Sequence, residues 1–147
     1  MDNKGATLME LMIVIIVMGI LAAFTTMSIS SIIENQREKV DLANAEYLGD
    51  AISLAHLEGT IIIKNNALFN TDTNRGYSGT GSWFYDDMDG YISNRIIPRA
   101  DIAQNSYNTD GGTYKFRFKV SGNQVTIFYF DQNKTQIDLH SFTLESY

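Results

Sequence analysis

At 147 residues the chain has room for about one domain, and its formal net charge of −6 gives it no broad basic field to draw in nucleic acid. It has no cysteine, so no disulfide can staple it, which suits an envelope without disulfide machinery.

The first five residues, Met1-Asp2-Asn3-Lys4-Gly5, precede an apolar run from Leu11 to Phe24. A secretory signal of the usual kind places its cleavage site after the apolar region. Here Lys4-Gly5 comes before it. With Thr25, Thr26 and Ser28 seated in the outer interface, the apolar stretch is long enough to span a hydrocarbon core of about 30 Å. Lys4 lies ahead of it and no Lys or Arg follows until Arg37, the asymmetry of an inside N-terminus and an outside C-terminus. Glu10 is the only charge between Gly5 and Ile33. A carboxylate in hydrocarbon costs roughly 3 kcal/mol even on lenient insertion scales, so it needs a partner. Cleavage after Gly5 would supply one, because Ala6 would then carry a free α-amine, positive below about pH 8. On a helix Glu10 lies one turn from that amine, and as near to the amine of a neighbouring copy.

The order Gly5-Ala6-Thr7-Leu8-Met9-Glu10-Leu11-Met12, with a long apolar run behind it, resembles the class III leader junction of the type IV pilins and pseudopilins. The resemblance implies that residues 1–5 are a leader removed by a prepilin peptidase after Gly5. It implies that Ala6 is the N-methylated mature terminus and that Glu10 is the glutamate that directs assembly. Most members of the family begin with Phe where this chain has Ala6, and many major pilins carry Pro where it has Met27. The family further implies a cytoplasmic-membrane precursor, an assembly platform with its own ATPase, and a surface filament of identical or related subunits. An ordinary single-pass anchor with a stray Glu near its cytoplasmic end leaves the Gly-Ala-Thr-Leu context unexplained.

The apolar run continues without a turn into an amphipathic pattern, and no Pro interrupts it. Val40, Ala43, Tyr47, Ala51, Leu54 and Ala55 recur at helical spacing, with Leu48 and Ile52 widening the stripe and Asp41, Glu46, Asp50 and Glu58 mostly off it. This predicts one helix over 6–58, stopped at Gly59. Residues 6–29 form its transmembrane or filament-core half and residues 30–58 its head-facing half. Gly19 costs such a helix about 1 kcal/mol relative to Ala. With Ala22 and Ala23 it permits close helix packing, or it serves as a hinge.

Residues 59–112 read as an irregular polar connection, with turn signals at Asn65-Asn66 and from Asn70 to Gly76. Thr60-Ile61-Ile62-Ile63 fits either a last helical turn or a short strand. Residues 113–147 read as an antiparallel meander, with strands from Thr113 to Val120, Gln124 to Phe130 and Gln136 to Leu144. Tyr114, Phe116, Phe118 and Val120 share one face of the first strand, and Lys115, Arg117 and Lys119 the other. A small sheet with one apolar face needs a cover, which the amphipathic half of the helix provides. The expected fold is therefore α+β, one long N-terminal helix packed on a small C-terminal antiparallel sheet, as in the pilin head.

Other constellations are weak. Asp86, Asp87 and Asp89 precede Gly90 but lack the bidentate Glu of a calcium loop, and read as a solvated turn. The stripe Lys115, Arg117, Lys119 could meet DNA phosphates, but also reads as the wet face of a strand. His56 and His140 are distant in sequence and suggest no metal or catalytic site. No phosphate loop or nucleophile elbow occurs, so no cofactor, metal or enzymatic activity is expected. The expected role is a structural pilus subunit in adhesion, motility or aggregation. The alternatives are a pseudopilin of a secretion or competence DNA-uptake machine and, with no candidate site behind it, a membrane-tethered enzyme or receptor.

Overall fold

The computed structural model describes residues 7–78, 88, 90–92, 96–101, 116–131, 133 and 135–145, the side chains of residues 25–28 and 78 excepted. A single long helix, α1 (Leu8–Leu57), leads into six strands: β1 (Ile61–Lys64), β2 (Ala67–Asn70), β3 (Arg75–Ser78), β4 (Arg117–Ser121), β5 (Gln124–Phe130) and β6 (Gln136–Thr143). The fold is α+β, as expected, but with two three-stranded antiparallel sheets instead of one: β1-β2-β3 and β4-β5-β6. The chain divides into two units, one ending at Gln36 and one beginning at Arg37.

The first unit is the N-terminal part of α1. Its large apolar side chains from Leu8 to Phe24 are between 48% and 84% exposed, with no face spared. By length and composition this helix can cross a membrane. It runs unbroken through Gly19, where an added Cβ would meet nothing within 4 Å.

In the second unit, α1 covers β4-β5-β6 with a face rotated from the expected one. The buried helical residues are Asp41, Ala45, Leu48, Gly49, Ala51, Ile52, Ala55 and His56. Val40, Tyr47 and Leu54 are 42%, 43% and 49% exposed, so the expected stripe is displaced by about one residue, roughly 100° around the helix. The cause is polar. Asp41 and His56 point inward because backbone groups meet their charged or polar atoms, and a count of apolar residues alone places Asp41 outside. Leu48 and Ile52 lie at the centre of the buried face, not at its margin. With Phe116, Phe118, Val125 and Ile127 they are fully buried, and Ala51 is nearly so. Tyr47 does not belong to this core.

The helix ends where Gly59 takes a left-handed φ of 78°. Thr60 N–H donates to Ala55 O and Gly59 N–H to His56 O, both at 3.0 Å, so two terminal carbonyls are satisfied within the chain. Glycine enters that conformation without the Cβ penalty. Gly49 has a different role. A Cβ there would stand 2.8 Å from His140 Cδ2 and 3.1 Å from Phe142 Cε1, so a bare backbone lets the helix approach β6.

The first sheet corrects the reading of residues 59–112 as irregular. Ile61 to Lys64 is a strand, and Asn65 and Asn66 both sit at positive φ, 54° and 57°. Asparagine tolerates this, and two such residues match the twist of a two-residue hairpin, closed here by the Lys64–Ala67 pair. Asn70 Oδ1 then accepts the N–H groups of Asp72 and Thr73, which shapes the turn into β3. Polar residues dominate the segment because it is mostly turn, and the strands between are four residues each. The two sheets are tied where Gly122 N–H donates to Asn66 Oδ1 at 2.9 Å.

In the second sheet β5 matches its expected bounds, and β6 ends one residue early, at Thr143. β4 begins at Arg117, and residues 113–115 lie outside the described residues. Phe118 and Val120 face the core and Lys119 the solvent, the expected register. A β-bulge interrupts the β5–β6 pairing, where Ile127 faces His140 but Phe128 faces Asp138.

Candidate functional site

Thr7 and Glu10 form a reciprocal cap at the start of α1. Glu10 N–H donates to Thr7 Oγ1 at 3.3 Å, and Thr7 N–H donates to Glu10 Oε2 at 2.8 Å. This is the capping box, Thr at the N-cap and Glu three residues on, which satisfies two amides that a helix start leaves open. The Thr-x-x-Glu spacing is a capping signature, separate from the apolar pattern, and gives Glu10 a structural role within its own chain. A carboxylate in the first turn is also favoured by the helix dipole. Glu10 is exposed, and only one of its carboxylate oxygens is used in the box. Gly5 and Ala6 lie outside the described residues, so the junction is known here by sequence alone.

Among the described residues the second unit shows three polar fastenings that apolar periodicity does not reveal. Asp41, fully buried, accepts from Arg99 N–H at 2.7 Å and 3.0 Å and from Ala100 N–H at 2.8 Å. One turn earlier Arg37 pairs with Asp101, both side chains substantially exposed. Together these hold the segment around Pro98 to Asp101 against α1. The second fastening is at the far end of the helix. Tyr91 O–H donates to Glu58 Oε2, its oxygen lies 3.0 Å from Thr60 Oγ1, and Tyr47 O–H donates to Tyr91 O. The carboxylate of Glu58 holds the Tyr91 hydroxyl above its ordinary pKa of 10.0, because the phenol is the bond's donor and loses it on ionising.

His56 is the third. Its ring nitrogens lie 2.9 Å from Ile61 O and 2.7 Å from Glu145 O, so one side chain joins the helix end, β1 and the segment after β6. His140 instead stacks on Phe142 with ring centroids 5.6 Å apart. The two histidines thus do different structural work.

Of the weaker constellations, Asp86, Asp87 and Asp89 lie outside the described residues, as does Lys115. Among the described residues no cluster of His, Cys, Asp or Glu could hold a metal ion. Lys119 is exposed, but Arg117 is half-buried, its guanidinium 5.6 Å from the centre of the Phe130 ring. Phe130 in turn meets Phe128 edge-on at 5.3 Å. Arg117 therefore belongs to an aromatic cluster as much as to a basic stripe.

No protein-family model, curated protein or solved structure matches this chain.

Proposed function

We propose that this chain is a structural subunit of a type IV pilus, cut after Gly5 and assembled through its N-terminal helix. The observation that carries the proposal is the all-round exposure of the apolar side chains between Leu8 and Phe24, in a helix whose only charge before Glu34 is Glu10. A helix that packs once against a globular domain needs one apolar face. One apolar on every face must be surrounded. At these exposures the unburied side chains represent on the order of 20 kcal/mol of unmet burial, which supports a lipid or protein surround over water.

Lipid meets that demand before assembly, and the same segments of other subunits meet it afterwards. Lipid tails and apolar helices are nearly equivalent surroundings, so the exchange itself sets no register. Glu10 supplies one if its carboxylate accepts the Ala6 amine of a neighbouring subunit. Removing one member of such a buried pair costs about 3–5 kcal/mol. The capping box is compatible with this role, since a carboxylate has acceptor positions to spare.

The test separates capping from charge. Gln at the third helical position preserves a capping box, and Ala destroys it. Glu10→Gln subunits are expected to be inserted, cleaved to a chain beginning at Ala6, and absent from sheared surface filaments. Filaments of Glu10→Gln subunits at wild-type abundance would reduce Glu10 to a helix cap and remove it from assembly. A mature terminus other than Ala6 would remove the basis of the proposal.

A further inference from the structure

The loop between β5 and β6 carries Asn133-Lys134-Thr135, the sequence's sole Asn-x-Ser/Thr tripeptide with a non-proline centre. With twelve asparagines and this Ser/Thr content, chance supplies about one or two such tripeptides, so the match alone decides nothing. Its setting is more specific. Phe130 and Gln136 form the last pair of the hairpin, and Asp131, Asn133 and Thr135 follow beyond it. Asn133 and Thr135 are both exposed, and neither side chain is hydrogen-bonded among the described residues. The turn is organised by Asp131. Its Oδ1 accepts Asn133 N–H at 2.8 Å and Thr135 N–H at 2.7 Å, and its own N–H donates to Thr135 O at 2.9 Å. The backbones of Asn133 and Thr135 are thereby held on one carboxylate oxygen, with both residues exposed.

We propose that Asn133 is an N-glycosylation acceptor, taking its oligosaccharide from a polyprenyl-diphosphate donor. The transfer forms a bond between Asn133 Nδ2 and the anomeric carbon of the first sugar. It breaks that carbon's bond to the diphosphate oxygen, so the polyprenyl diphosphate leaves with the bonding electrons. The amide nitrogen gives up one proton and no redox partner is needed. Thr135 recognises the transferase through its hydroxyl, and Asp131 is a positioning residue. The proposal rests on the reading of α1 as a membrane anchor with the head outside, where lipid-linked sugars are used.

The experiment is glycopeptide mass spectrometry on the full chain purified from membranes of its source organism. The tryptic peptide from Val120 to Lys134 is expected to carry a glycan at Asn133. The adduct is lost in Asn133→Gln and in Thr135→Val and is kept in Thr135→Ser. Both positions are exposed, and unchanged thermal melts confirm folding. An unmodified wild-type peptide overturns the proposal. A second readout tells that failure from failure of the membrane reading: the chain lacks cysteine, so Ser121→Cys gives a single thiol for an impermeant maleimide on intact cells. Labelling with an unmodified Asn133 sinks the glycosylation proposal and spares the topology. No labelling, with the thiol reactive after lysis, sinks both.

Discussion

Asp41 is the strongest single fastening in the head, and its removal has a calculable cost. In Asp41→Ala the buried amide of Ala100 and the part-buried amide of Arg99, an exposed residue, lose their acceptor. A buried donor left unsatisfied costs about 1–3 kcal/mol; Ala100 accounts for about that much and Arg99 adds less, for about 2–4 kcal/mol together. Domains of this size have about 5–15 kcal/mol in total, and the loss is therefore a large share of it. Asp41→Asn should lie between wild type and Ala. With its oxygen at the Oδ2 position it keeps Ala100 N–H and the 3.0 Å contact with Arg99 N–H, but its NH2 then replaces the Oδ1 acceptor that lies 2.7 Å from Arg99 N. By contrast, Arg37→Ala removes a pair whose side chains are 40% and 58% exposed, which is worth less than about 1 kcal/mol. The assay is urea unfolding of a truncated chain beginning at Ile33, with amide exchange measured at residues 99 and 100. The reasoning fails if Asp41→Ala costs less than about 0.5 kcal/mol while both amides remain protected.

Phe118→Ala in the same truncated chain should cost about 3–5 kcal/mol by urea unfolding, since the ring is fully buried. Gly49→Ala gains about 1 kcal/mol of helix propensity but forces a contact of 2.8 Å with His140, and overpacking at about 1–3 kcal/mol should leave the variant less stable by differential scanning. Tyr91 should ionise above its ordinary 10.0 in an alkaline absorbance titration, and Glu58→Ala should return it towards that value. The sign is that of a raised folded-state pKa: the phenol–carboxylate bond is present at neutral pH and is lost as pH rises through the folded value.

Legibility followed the kind of force at work. Where burial alone decides, alternation of residue types was sufficient: the bounds of β5 were read to the residue, and Phe116, Phe118 and Val120, expected on one face, are buried, although next to the bulge Phe128 and Tyr129 are both buried in succession. Glycine chemistry was equally readable, since the stop at Gly59 is a left-handed cap. What apolar counting could not find was any place where a backbone amide or carbonyl rescues a polar side chain. Asp41 is inside because Arg99 and Ala100 offer N–H groups from a segment 58 and 59 residues away. That long-range fact turned the helix and put Tyr47 outside. The first sheet escaped for a local reason. Strands of four residues between asparagine turns carry too few alternations to stand out, and Ile61-Ile62-Ile63 has no polar residue to show a period. At the N-terminus the limit is different again, since Thr7 and Glu10 are legible as a cap and as an assembly pair from the same four residues.

Gly49 and His140 share one small volume, and this ties their histories together. A lineage that acquires a side chain at position 49 while keeping histidine at 140 passes through a clash between helix and sheet. One that first reduces position 140 opens a gap beside Phe142 that a new Cβ can then fill. The two orders of change are unequal, and the accessible one begins in the sheet. Across descendants of this sequence, residue sizes at the two positions should therefore be inversely related. The glycine would persist wherever the histidine does, despite its cost to the helix.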